Sequence, residues 1–148
     1  MKVKDLMIKN VCCATPDTKI SDVAKMMSEN HIGSIPVCDS QNSICGILTD
    51  RDIILRGVAC GKDVNNTPIS DIMSCNVCSC DENDSIEKAE KTMSQNQIRR
   101  LPVCDENKHV IGIITLGDLA NNNEEIGVNE VCNTFSNVCN SNGNKNAK

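Results

Sequence analysis

The chain matches itself. Ile35-Pro36-Val37-Cys38-Asp39 returns 66 residues later as Leu101-Pro102-Val103-Cys104-Asp105, and Gly46-Ile47-Leu48-Thr49 returns as Gly112-Ile113-Ile114-Thr115. The offset never changes: Asp5 and Met7 map to Asp71 and Met73, Ile20 to Ile86, Met27 to Met93, Asn30 and Ile32 to Asn96 and Ile98, and Asp52 to Asp118. Roughly a third of the aligned positions are identical without a gap, which marks an internal duplication. One fold must therefore serve twice. In 148 residues, two half-size units need a shared core to be stable.

Each copy reads as β-α-β-β-α, giving an α/β (α+β) fold class. Ile20, Val23, Ala24 and Met27 recur at helical spacing, and the polar stretch from Ser28 ends at Gly33. That pattern predicts an amphipathic helix from about Lys19 to Asn30. Ile35 to Cys38 and Ile44 to Leu48 are short apolar runs joined by the turn formers Asp39 to Ser43, as in a hairpin. A second helix begins near Thr49. Val11 to Ala14 reads as a further short strand, and Val3 to Met7 as one turn of helix. The duplication divides the chain into unit one at 1–58, a linker at 59–67, unit two at 68–122 and an Asn-rich tail at 123–148. In the tail, Val128, Val131, Phe135 and Val138 fall at spacings of three and four. They are enough for one narrow-faced helix, docked or frayed.

Composition narrows the functions open to such a module. The net charge is -5, so no broad basic surface exists to neutralise a nucleic acid or anionic lipid. No apolar run approaches the length of a membrane span, and the start has no export signal, which places the protein in the cytoplasm. The 11 cysteines are odd in number and read as reduced thiols. With one Phe and no Trp or Tyr, stacking platforms for single-stranded nucleic acid are missing.

Thr49-Asp50-Arg51-Asp52 and Thr115-Leu116-Gly117-Asp118 each join a strand to a helix. A Thr at the cap with an acid three residues later forms a capping box. The same geometry suits a ligand, since a first-turn carboxylate can accept from a ribose diol while the hydroxyl and nearby amides face an anion. Both readings stay open. No nucleophile, base and orienting acid cluster together, and no Gly-x-x-x-x-Gly-Lys loop is present, so an enzyme is not expected.

Pro-Val-x-Asp followed by Gly-Ile-x-Thr-x-x-Asp, twice in tandem from about Met1 to Leu119, resembles the CBS domain pair named after cystathionine β-synthase. The resemblance implies two pseudo-symmetric CBS units packed sheet to sheet into one module. It also implies two clefts between the units for AMP, ADP, ATP or S-adenosylmethionine, with no other cofactor required. Carried across, Asp52 and Asp118 match ribose-binding acids, and Thr49 and Thr115 match hydroxyls near the phosphate. Ser34, Ile35, Pro36 and Val37, with Arg100, Leu101, Pro102 and Val103, match the strand that holds the adenine.

The copies differ in charge at the site. Arg99-Arg100 stand where copy one has Gly33-Ser34, and Arg51 stands where copy two has Gly117. These three arginines are the candidates for phosphate, which suits bidentate guanidinium contacts. Arg99-Arg100 read equally as an exposed corner. His31 and His109 have no metal-ligand partner at helical spacing, and His31 is a weak phosphate candidate.

The expected function is a non-catalytic module that binds an adenosine-containing ligand and signals occupancy to a protein in trans, as a homodimer. Two alternatives are kept. One is a ligand-free scaffold in which the Thr-x-x-Asp segments are only caps. The other is a metal or redox sensor using Cys75, Cys78 and Cys80, whose spacing could supply three thiolates.

Overall fold

The computed structural model describes residues 1–140. In chain order the elements are α1 (Val3–Leu6), β1 (Ile8–Lys9), α2 (Ile20–Asn30), β2 (Ser34–Cys38), β3 (Ile44–Thr49) and the helical turn α3 (Asp50–Asp52). A wider π-helical stretch at Ile53–Val58 and a 3-10 turn at Ile69–Asp71 follow. The chain continues with β4 (Cys80–Asp81), α4 (Ile86–Asn96), β5 (Arg100–Cys104), β6 (Val110–Thr115), α5 (Leu116–Asn121), α6 (Asn123–Ile126) and α7 (Val128–Cys139). No helix among the described residues is long and apolar enough to cross a membrane.

These elements gather into two compact units, and the chain visits each more than once. The second-copy unit takes Met1–Asn10, Cys78–Glu106 and the described residues from Ile111 onward. Its sheet has the order β1-β6-β5-β4. β1 runs antiparallel to β6, with Ile8 opposite Ile113, and β4 runs parallel to β5, with Cys80 opposite Val103. Val3 is fully buried among Ile86, Met93, Leu101, Ile114 and Leu119. The amides of Val3 and Lys4 donate to the carbonyls of Asp84 and Glu82 at 2.9 and 3.0 Å, so the first residues of the chain are part of this core.

The first-copy unit takes Val11–Val77 and Asn107–Val110. β2 and β3 pair antiparallel from Ser34 opposite Thr49 to Cys38 opposite Ile44, with a bulge between Val37 and Cys38. The core gathers Ile20, Val23, Met27, Ile35, Val37 and Leu48 with Ile69 and Ile72. Helix α2 has no side-chain cap. The orphan amides of its first turn are met from the expected linker instead: Ile20 N–H donates to the Thr67 carbonyl at 3.0 Å, and Ser21 N–H to the Val64 carbonyl at 2.9 Å.

The expected boundaries at 1–58, 59–67 and 68–122 follow the duplicated sequence, whereas the packing crosses them. At the fixed offset Val3 corresponds to Ile69 and Ile8 to Ser74. The segment before copy one thus completes copy two, and the segment before copy two completes copy one, where Ile47 and Ser74 exchange both backbone hydrogen bonds at 3.0 Å. The expected strand at Val11 to Ala14 shrinks to one parallel bridge. Ala14 N–H donates to Pro36 at 3.0 Å and its carbonyl accepts from Cys38 at 2.8 Å.

The exchange explains the glycine of each Gly-Ile-x-Thr segment. A Cβ on Gly112 would lie 2.8 Å from the Ile8 carbonyl oxygen and 2.8 Å from the Met7 sulfur. On Gly46 it would meet the Met73 sulfur at 2.9 Å and the Ser74 carbonyl at 3.1 Å.

Of the tail, expected at 123–148, residues 141–148 lie outside the described residues. The helix expected there is α7, and it is docked: Val131, Thr134 and Val138 are buried in the second-copy unit, where α7 packs on α4.

Gly112→Ala is expected to destabilise the fold by about 1–3 kcal/mol, the usual cost of overpacking. Gly46→Ala should cost less, because a flexible thioether is the nearest obstacle. Urea unfolding of both variants checks the order.

Candidate functional site

The Thr-x-x-Asp segments are placed by the strands that precede them. β3 and β6 end at Thr49 and Thr115, both in extended conformation, and helix begins at the next residue. The first helical amide is pinned to the neighbouring strand in both copies: Asp50 N–H donates to the Gly33 carbonyl, and Leu116 N–H to the Arg99 carbonyl, each at 3.0 Å. The arginine pair of copy two is thereby held beside the start of α5.

Both capping boxes are complete. The Thr49 hydroxyl accepts from Asp52 N–H at 3.1 Å, and Asp52 Oδ2 accepts from Thr49 N–H at 3.0 Å. In copy two the matching distances are 3.2 and 2.8 Å, and the Thr115 hydroxyl also donates to Asp118 Oδ2 at 2.9 Å. Among the described residues both carboxylates bond through Oδ2 alone, leaving Oδ1 for another donor.

Beside the second box lies a cavity of about 430 Å³ lined by Arg99, Arg100, Thr115, Leu116, Gly117, Phe135 and Cys139. Its size falls within the ~300–1,000 Å³ of small-molecule sites. Among the described residues neither guanidinium has a hydrogen-bond or ion-pair partner, so the cavity carries uncompensated positive charge beside a hydroxyl and an aromatic ring. Arg99, Arg100 and Thr115 are thus brought together. Asp118 is tied to Thr115 but is not on the wall, and Arg51 is exposed on α3 in the other unit.

The strand residues divide differently from the expectation. Ile35 and Val37 are fully buried in the first-copy core, and Leu101 and Val103 in the second-copy core. Pro36 and Pro102 are buried too, and Ser34 is 7% exposed. These aliphatic side chains are core, and what they leave for a ligand is the strand's backbone. The sequence reading missed Leu116, Gly117, Phe135 and Cys139 as cavity residues. Phe135 carried a signal, as the only aromatic side chain of the chain on the apolar face of a helix.

Comparison with known proteins gives this geometry its context. The model of the CBS domain matches residues 3–58 and again residues 69–125. The chain belongs to the CBS domain family. It is 44% identical over 128 residues to the CBS domain-containing protein YhcV of Bacillus subtilis, covering 84% of this chain and 89% of that one. The structure resembles that of Hypoxic Response Protein I with two coordinated zinc ions, at 32% identity and a TM-score of 0.75, covering 82% of this chain and 98% of the other. It also resembles the CBS domain pair of protein MJ0100 in complex with 5′-methylthioadenosine and S-adenosyl-L-methionine, at 28% identity and a TM-score of 0.74, covering 85% and 98%.

The thiols of this CBS-domain chain do not assemble as the metal alternative requires. Cys75 is exposed, Cys78 is half-buried and outside any strand, and Cys80 is buried in β4. Among the described residues no three His, Cys, Asp or Glu side chains converge to hold a metal ion. Burial, with Asp84 nearby, pushes the Cys80 thiol up to about 12, and burial beside Cys13 does the same for Cys38. Both behave as small hydrophobes.

One carboxyl group of the second-copy unit stands out. Glu90 on α4 is 4% exposed, and among the described residues neither of its oxygens has a hydrogen-bond partner. Thr134, facing it from α7, donates its hydroxyl to the Glu130 carbonyl at 3.0 Å. Burial first, then the neighbouring Glu130 carboxyl and more weakly Glu87, push the Glu90 carboxyl up to about 7.

An acid whose native value is raised holds its proton more tightly folded than unfolded, so its contribution is complete below about 4.5 and is lost as pH rises to about 7. Glu90→Gln, which cannot ionise, should therefore gain stability relative to the parent between pH 5 and pH 8, by about 2 kcal/mol. Thermal melts at the two pH values check the difference. An equal gap at both would remove Glu90 as its source.

Proposed function

We propose that this CBS-domain protein is a non-catalytic regulatory module that binds an adenosine-containing ligand, with the phosphorylated forms AMP, ADP or ATP preferred. The observation that carries the reading is the cavity beside the Thr115–Asp118 box, where two arginines that have no partner among the described residues stand next to a hydroxyl. Guanidinium groups suit phosphate oxygens and would gain little from the sulfonium of S-adenosylmethionine. The solved relative that holds 5′-methylthioadenosine and S-adenosyl-L-methionine supports the adenosine half of the ligand.

Signalling then follows from differential affinity, since a ligand that binds two states equally shifts neither. The receiver is a second protein in the cytoplasm or another copy of this chain. Ile54, Leu55 and Val58 are 59%, 47% and 62% exposed, an apolar patch that favours a homodimer. A ligand-free scaffold is the second reading, favoured by the completeness of both capping boxes.

Titration calorimetry of the reduced protein with AMP, ADP, ATP, S-adenosylmethionine and GMP tests the proposal. Saturable binding of an adenine nucleotide but not GMP is expected. Asp118→Asn should keep the box, because the Asn side-chain carbonyl can still accept from Thr115 N–H, while weakening nucleotide binding about tenfold or more. Unchanged affinity in that variant would assign the box to structure alone.

A further inference from the structure

The C-terminal helix enters the cavity from outside the duplicated pattern. Phe135 and Cys139 of α7 lie on the same wall as Arg99, Arg100 and Thr115. The helix is anchored by other side chains: Val131, Thr134 and Val138 are each 4–6% exposed in the second-copy unit. Phe135 is only half-buried, packed at the margin of the core with part of its ring left to the cavity. The far end of the same helix is tied to the arginine corner, because the Gln97 side chain donates to the Asn140 carbonyl. Gln97 itself takes a left-handed conformation, φ 52°, at the end of α4, two residues before Arg99. Helix and arginines are therefore parts of one local arrangement.

We infer that Phe135 is a ligand-contacting residue of this cavity, covering the apolar face of a bound nucleotide whose phosphate is held by Arg99 and Arg100, so that occupancy and the docking of α7 stabilise each other. This rests on the nucleotide reading above. It assigns to the tail a role that neither CBS copy contains. Because coupling between two binding events is reciprocal, a nucleotide that touches Phe135 must tighten α7 on α4 by the factor by which α7 tightens the nucleotide. A flat base on a single aromatic ring also accounts for how a chain so poor in aromatics grips one.

The test uses the full chain with ATP and AMP as probes. Calorimetry compares the parent with Phe135→Ala, and hydrogen exchange follows amides 131–139 of the parent with and without saturating ATP. The expected result is an affinity lower by about tenfold in the variant, together with exchange slowed about fivefold or more in the parent. Parent protein that binds ATP while Phe135→Ala binds equally well, with α7 exchange unchanged, overturns this inference and leaves the nucleotide reading standing. Parent protein that binds neither probe overturns both. Should Phe135→Ala fail to fold, exchange in the parent decides: slower supports the inference and unchanged overturns it.

Discussion

The rest of the structure depends on one close backbone approach made twice. Where β1 pairs with β6, and where Ser74 meets Ile47, the passing chain comes so near that a side chain on the facing glycine would crowd it. Those two contacts let a leading segment deliver Val3 to one core, and Ile69 and Ile72 to the other. At about 25 cal/mol per Å² of apolar surface, three fully buried aliphatic side chains are a large share of the stability of units this small. Everything downstream is positioned by the strands these contacts fix. β3 and β6 end at the threonines from which the capping boxes are built.

Each box caps a helix and leaves one carboxylate oxygen over. A threonine and an aspartate that satisfy each other's backbone amides are held rigid without a ligand, and the oxygen that caps is not the oxygen left over. The duplication kept this device in both copies while the charge around it diverged. Arg99 and Arg100 supply the second-copy unit with two cations beside its box, where the first copy has Gly33 and Ser34.

The fold was largely legible because its signals are local. Helical spacing placed α2 and α4, the apolar runs placed β2, β3, β5 and β6, and the repeat made each assignment twice. The exchange of leading segments was not legible, because Val3 and Ile69 read the same whichever copy they enter. Thr115, Arg99 and Arg100, read from a motif and a break in the repeat, line one cavity. Strand residues such as Ile35 and Leu101 were assigned by alignment to a ligand role, and burial gives their side chains to the core. Phe135 was visible as one member of the tail's helical face and as the chain's one aromatic, but nothing in periodicity shows which cavity a tail helix reaches.

The exchange also sets the order in which the chain can fold. During synthesis the strand Ile8–Lys9 must wait for its partner in β6, which is not made until Ile113 has emerged. Until then that strand has no sheet to join, while most of the first-copy unit, Val11–Val77, is contiguous in sequence and waits only for Asn107–Val110. Long-range pairing of this kind is slow. The exposed Ile8 strand is meanwhile a template for the same strand of a neighbouring nascent chain on one messenger, so the closure that makes each unit complete is also the step most open to swapping between copies.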